Sequence, residues 1–383
     1  MRHLFLFGVL GCISSACLAF QDFDTIASHA YLVDYDTGAV LLDKKGSELM
    51  APASMSKLMT AYILFEQIKS GQISLDDKFT VSKNAWQKGG EKSGSSTMFL
   101  KPDSKVKVED LIKGIIVQSG NDACITVAEN LSGSEENFAQ EMTLRAREIG
   151  LEKSTFKNST GWPHKEHLMT AKELAFLAKK LMDEFPDFYK YYSLTSFKYN
   201  GIEQPNRNPL LSSMPGQADG LKTGHTEKSG YALVGSAKSK DGTRRLILVV
   251  NGLKSMKDRN TESQRIMEWG FTNFKNYTMF PNGEVVDSLP VWLGAEERVP
   301  VILDKKALIT IHRLDKDKAK ISITYDSLPK APIKKGQKIA TLNVLLPDGS
   351  NKPFDLVAQK DVAKAGFLKR MKKAVLSLFK GKE

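Results

Sequence analysis

The stretch APASMSKLMTAYIL, residues 51–64, decides how the rest of the chain is read. Its Met, Leu, Ala and Ile residues suit a helix, and Ser54 and Lys57 fall three positions apart within it. Residues so spaced meet on one helix face. A serine near a helix start is ordinarily a cap, and a nearby lysine is ordinarily solvated. The other reading is a nucleophile beside its base, because a neutral amine can strip the proton from a hydroxyl that is to attack an amide. Lys57 is neutral near pH 7 only if desolvation and a second cation depress its pKa. Met55, Leu58 and Met59 offer the dry setting, and Lys222 is the expected cation. S-x-x-K occurs by chance in many chains, so the remaining sequence has to choose.

Two further triplets bear on that choice. VQSGNDAC (117–124) places Ser119-Gly120-Asn121 at the start of a helix, and DGLKTGHTEKSGYALVGSA (219–237) places Lys222-Thr223-Gly224 at the edge of a strand. Ser119 suits the return of a proton to a departing amine, and Asn121 offers an amide to a substrate backbone. Lys222 and Thr223 suit a terminal carboxylate. Gly224 leaves room for a substrate lying along the strand edge as an added strand. The backbone N–H groups of Ser54 and His225 are the candidate oxyanion donors; losing one such donor costs roughly 3 kcal/mol. Arg207, between Asn206 and Asn208, is expected to hold the Lys222 region electrostatically, its plain alternative being a surface turn.

The three triplets, in this order and context, resemble the S-x-x-K, S-x-N and K-T-G set of penicillin-recognising serine enzymes. The chain is similar to low-molecular-mass penicillin-binding proteins, the D-alanyl-D-alanine carboxypeptidases of bacterial envelopes. The likeness runs through LVDYDTGAVLLDKK (32–45), PASMSKLMT (52–60), GSSTMFL (94–100), STFKNSTGWPHKEHLMTAKELA (154–175), NRNPLL (206–211) and DGLKTGHT (219–226). The resemblance implies removal of the terminal D-alanine from peptidoglycan stem pentapeptides through an acyl-enzyme on Ser54. It also implies acylation of the same serine by β-lactams, and no cofactor. Trp162, where a smaller apolar residue is common, and the Gly- and Lys-rich 88–94 loop depart from the usual pattern. The rivals are a DD-endopeptidase, a β-lactamase and a wall-binding scaffold with a dead site. A β-lactamase wants Ser-Asp-Asn at the second triplet and a water-positioning glutamate, for which Glu166 is the candidate without the residues that normally follow it. A dead scaffold predicts damage to Ser54, Lys57 or Lys222, and all three are present.

The expected fold is α+β. A β-lactamase/transpeptidase-like catalytic domain, 20–280, has an antiparallel sheet drawn from both chain ends with a helical cluster inserted. HAYLVDYDTGAVLLDKK (29–45) reads as a hairpin about Asp36-Thr37-Gly38, and SGYALVGSAK (229–238) and TRRLILVVNGL (243–253) as strands. A helix is expected near 257–275. Short β-type stretches, ALITIHRL (307–314) among them, place a small all-β domain at 284–358.

Composition bounds the compartment. Residues 1–19 read as a signal peptide cleaved after Ala19, with a lipoprotein signal at Cys12 as the rival. Cleavage leaves Cys124 alone, so no internal disulfide can form, and the surrounding apolar helix suits a buried, inert thiol. The net charge of +11 admits nucleic acid, an anionic membrane or an acidic polymer; export argues against nucleic acid. His164 and His167 are the only near pair among six histidines and are assigned to ordering a loop, not to a metal. Residues 361–383, DVAKAGFLKRMKKAVLSLFKGKE, read as an amphipathic helix. Phe367, Leu368, Met371, Val375, Leu378 and Phe379 share one face and lysines fill the remainder. No run there approaches the ~18–20 apolar residues of a spanning helix, so the segment is expected to lie on an anionic membrane surface, on the periplasmic side of the inner membrane.

Overall fold

A computed structural model describes residues 23–368 and Met371. The expected signal peptide and most of the expected terminal helix lie outside the described residues. The described chain divides into a larger unit, Thr25–Tyr277 with Leu308–Arg313, and a smaller one that includes Thr278–Ala307 and the residues after Arg313.

The larger unit is built on an antiparallel sheet of β1 (His29–Asp34), β2 (Val40–Lys44), β3 (Ala218–Thr226), β4 (Gly230–Lys238) and β5 (Arg245–Leu253). The strand order is β2-β1-β5-β4-β3, so the opening hairpin joins three strands that arrive much later. The hairpin turn is set by Asp34. One carboxylate oxygen accepts from the N–H groups of Asp36 and Thr37 and from the Thr37 hydroxyl, while the other accepts from Arg244 Nε at 2.7 Å. Asx turns of this kind supply locally what a buried turn would otherwise lack. β5 is central and buried along most of its length, whereas β3, carrying Lys222-Thr223-Gly224, is outermost.

Between the two sets of strands stands the helical cluster. Its middle is α1 (Lys57–Lys69), whose residues from Lys57 to Phe65 are all buried. A helix apolar on every side is an interior helix. Around it lie α2 (Asn121–Ser132), α3 (Glu135–Glu148) and α4 (Ala171–Glu184); α5 (Met256–Asn273) packs on β4 and β5. Ser134, Thr170 and Ser255 cap α3, α4 and α5 through their hydroxyls. The cluster also contains two short two-stranded antiparallel pairs, Lys78–Thr80 with Lys105–Lys107 and the hairpin Ser196–Tyr199 with Ile202–Pro205. Cys124 on α2 is buried, and burial pushes its thiol up to about 12.

ALITIHRL does not join the small β domain. Its strand β9 (Leu308–His312) pairs with β6 (Phe274–Thr278), and Thr310 Oγ1 donates to Asn276 Oδ1 at 2.8 Å. Alternation shows that a segment is a strand but not which sheet edge receives it. The smaller unit holds β7 (Val285–Pro290), β8 (Arg298–Leu303), β10 (Lys320–Thr324), β11 (Lys338–Leu345) and β12 (Asn351–Ala358), ordered β7-β8-β12-β11-β10. Residues 361–365 are extended, not helical as expected. Val362 bridges to Ile333 and Lys364 to Gly294, with Val362 and Ala365 buried. Val362 and Ala365 find burial against this unit, which a helical register would have removed. Beyond them Phe367, Leu368 and Met371 are exposed.

Candidate active site

A 3-10 turn, Ala53–Ser56, leads into α1, so Ser54 sits on the turn and Lys57 opens the helix. Ser54 is not a cap. Its Oγ accepts from Lys57 Nζ at 2.9 Å, and the same ammonium donates to Asn121 Oδ1 at 2.7 Å and to the Thr160 carbonyl at 2.6 Å. Lys57 is 1% exposed. Its pKa is brought down to about 8, chiefly by burial and also by Arg207, against opposition from Cys124, Glu135 and Asp122. Arg207 is thus a cation acting on Lys57, and the charges of Lys57 and Lys222 also oppose each other. Lys222 is itself held well below its ordinary value, first by burial and then by Lys57 and Arg207. Two buried amines cannot both keep a charge cheaply. Lys57 has three acceptors, whereas the hydrogen bond of Lys222 goes to its neighbour's carbonyl, Thr223 O, at 3.2 Å.

Ser119 precedes its helix. A π-helical turn, Gly114–Gln118, ends at Ser119 in the left-handed region (φ 58°), and α2 begins two residues later. Such turns recur at functional sites. Asn121 has both ends of its amide engaged: Oδ1 holds Lys57 and Nδ2 donates to Ser95 Oγ at 3.0 Å. It therefore braces the base and the Ser95 loop, using one of the two hydrogens on Nδ2. Buried Asp122 pins the same loop, accepting from Thr97 Oγ1, Met98 N and Leu100 N.

On β3, a Cβ at Gly224 would lie 3.0 Å from Pro52 O and 3.2 Å from Ala53 Cβ. Glycine there lets the strand approach the serine turn, a demand separate from room for substrate. The His225 ring stacks on Tyr231 with centroids 3.9 Å apart. Arg207 Nη1 donates to Ser96 Oγ at 2.5 Å, and Arg259, 4% exposed, donates to the Arg207 carbonyl while its Nε has no hydrogen-bond partner among the described residues. A cavity of about 600 Å³ is lined by Ser54, Ser119, Thr223, Gly224, His225 and Arg207, with Tyr231 and Arg259 on the same wall. Lys57, Asn121 and Lys222 lie behind that lining. An amine of lowered pKa touching a hydroxyl, below a cavity with two guanidinium groups, can deprotonate the hydroxyl toward an anionic ligand. Glu166 does not line the cavity; its carboxylate faces Lys157 at 3.6 Å. His164 and His167 accept from the backbone N–H groups of Glu166 and Lys157, and burial lowers His167 to about 4.

Residues 17–255 match the family described as D-alanyl-D-alanine carboxypeptidase, and residues 274–364 the C-terminal domain of penicillin-binding protein 5. The chain belongs to the D-alanyl-D-alanine carboxypeptidase family. It is 38% identical over 351 residues to the D-alanyl-D-alanine carboxypeptidase DacC of Escherichia coli (strain K12), covering 91% of this chain and 87% of that protein. The structure of penicillin-binding protein 5 from Haemophilus influenzae superposes with a TM-score of 0.78 at 34% identity, covering 89% of this chain and 98% of the other. Penicillin-binding protein D2 from Listeria monocytogenes, in its ampicillin-bound form, gives 0.56 at 29% identity over 65% of this chain and 98% of the other. The protein is a serine-type D-alanyl-D-alanine carboxypeptidase. Several groups around the Ser54 cavity escaped the sequence: Ser95, Ser96, Asp122, Thr160, Tyr231 and Arg259. The run GSSTMFL carried the only signal for the first two.

Proposed function

We propose that Ser54 is the nucleophile of the carboxypeptidase and Lys57 its base. In the first step Lys57, neutral, takes the Ser54 proton as Oγ bonds to the carbonyl carbon before the terminal D-alanine. The C–N bond then breaks, and the departing amine receives the proton of Lys57 through Ser119, which leaves Lys57 neutral again. Water attacks the resulting ester and gives a proton to Lys57; the bond from the acyl carbon to Oγ then breaks, and Lys57 returns the proton to Ser54 Oγ. The backbone N–H groups of Ser54 and His225 receive the developing oxyanion. Thr223, Arg207 and Lys222 take the terminal carboxylate, whose charge raises the pKa of Lys222 and restores its proton. Gly224 admits the peptide along β3. The observation that carries this reading is the contact of the depressed Lys57 amine with Ser54 Oγ at 2.9 Å.

The substrate is the peptidoglycan stem pentapeptide, and β-lactams acylate Ser54 in its place, as the ampicillin-bound Listeria relative supports. Residues 1–19 direct export, 20–280 form the catalytic domain and 284–358 the β domain. The basic tail after Gly366 holds the enzyme on the periplasmic face of an anionic membrane. In support, the basic tail begins with the exposed Phe367, Leu368 and Met371. Ser54→Ala tests the core of the proposal. It should abolish D-alanine release and labelling by a fluorescent penicillin while the thermal melt stays cooperative. Labelling of a folded Ser54→Ala protein would refute the assignment.

A further inference from the structure

The ammonium of Lys57 has three protons and three acceptors: Ser54 Oγ, Asn121 Oδ1 and the Thr160 carbonyl. When the amine is neutral it keeps two protons and gains a lone pair. Asn121 Oδ1 and Thr160 O can hold those two protons, which leaves the lone pair for Ser54 Oγ. This depends on which way the Asn121 amide faces, and an amide's two ends are told apart by their partners. Turned over, it would present Nδ2, a donor, to the amine. The lone pair would then accept from Nδ2 and be lost to Ser54.

The other end of that amide is held from the Gly- and Lys-rich 88–94 loop, which departs from the family pattern, and from Ser95 just beyond it. Asn121 Nδ2 donates to Ser95 Oγ at 3.0 Å, the Ser95 and Ser93 hydroxyl oxygens are 2.7 Å apart, and Ser93 Oγ donates to the Gly90 carbonyl at 2.6 Å. A serine hydroxyl has one proton to give. That of Ser93 goes to Gly90, so Ser93 Oγ accepts from Ser95. The Ser95 proton is spent there, so Ser95 Oγ accepts from Asn121. The backbone seats the loop independently of these hydroxyls. Asn121 N donates to the Ser96 carbonyl at 2.7 Å, and a Cβ at Gly89 would lie 2.2 Å from Asp122 N.

We infer that Ser93 and Ser95 are positioning residues of the carboxypeptidase, whose hydroxyl chain locks the Asn121 amide with Oδ1 on Lys57 and so aims the neutral amine at Ser54. The inference rests on the reading of Lys57 as the base. The titratable groups that act on Lys57 or feel its charge are Arg207, Lys222, Glu135, Asp122, Cys124 and His167. None of them bonds to Ser93 or Ser95 among the described hydrogen bonds, so removing either hydroxyl leaves those charges in place.

Acylation by a fluorescent penicillin, followed from pH 6 to 10, tests this in Ser95→Ala, Ser93→Ala and Ser82→Ala. Ser95→Ala should lower the plateau rate roughly three- to tenfold, the fold-change of one neutral hydrogen bond. It should also move the midpoint down by roughly half a pH unit, because an amide free to turn over stabilises the neutral amine. Ser93→Ala should act in the same direction but less, since the freed Ser95 proton can then point either way. Ser82 caps the short helix Lys83–Gly89 that leads into the loop, accepting from Ala85 N at 2.8 Å. Ser82→Ala should lower the melting temperature and leave the midpoint in place. A loop that merely seals the site gives the opposite sign, because opening it admits water and raises the pKa of Lys57. A midpoint that rises or stays put in Ser95→Ala, or falls equally in Ser82→Ala, would overturn the positioning role. A fall in Ser95→Ala with none in Ser93→Ala would remove Ser93 from it. A wild-type profile without a step would instead overturn Lys57 as the base, whereas a wild-type step that neither serine variant lowers overturns the positioning alone.

Discussion

As the proposed base, Lys57 has to be cationic enough to sit among three acceptors and neutral often enough to receive a proton. A pKa of about 8 reconciles the two demands. Acylation by Ser54 is accordingly expected to rise about tenfold per pH unit up to pH 8 and then level off, because only the neutral amine is a base. The sign for stability follows from the same shift. Between about pH 8 and 10.5 the unfolded chain binds the proton that the folded chain has released, so this residue makes stability rise with pH across that window. Penicillin acylation rates from pH 6 to 10 measure the first effect, and a flat profile would exclude Lys57 as base. The spacing of Ser54 and Lys57 was readable because it is a helix repeat. The Thr160 carbonyl was not, since a backbone acceptor carries no residue identity, and the effect of the Arg207 charge on Lys57 depended on distances that no local pattern encodes.

Three elements interlock around the serine turn. Gly161 lies at φ 83°, and a Cβ there would fall 1.9 Å from the Ala53 carbonyl oxygen. Gly224 approaches the same turn from β3, and Ala53 is itself left-handed at φ 48°. Gly161→Ala should therefore cost ~3 kcal/mol or more and slow Ser54 acylation as the turn is displaced. Gly71→Ala is the matched comparison: its φ is 77° but nothing lies within 4 Å of the new carbon. It should cost only ~1 kcal/mol and leave acylation untouched. Thermal melts with acylation rates separate the two, and equal costs would show that backbone strain alone governs the turn. At this scale the hairpins and helices announced themselves through period, while the partner of β9 did not. Its edge is chosen by Asn276 and β6, which a strand pattern does not reveal.

At the scale of the whole molecule, the corrected start of the tail changes how anchoring is tested. Val362 and Ala365 belong to the β unit, so truncation has to follow Gly366 to spare it. That form should stay monodisperse and active, whereas the full mature chain should pellet with vesicles rich in anionic lipid and be partly released by high salt. Equal partitioning of the two forms would refute the anchor. The three triplets could be read from the sequence because each is local. Their convergence depends on the sheet order, in which His29 lies opposite Asn251. That pairing also sets a timetable. A chain emerging from its N-terminus must carry Tyr31 and Leu32 bare until the last catalytic strand exists to cover them. Loop closure across the entire helical cluster then precedes any reward from the sheet. Slow, late folding is the consequence, with an interval in which the unpaired opening hairpin is the segment most open to capture by a holding factor or by a second copy of itself.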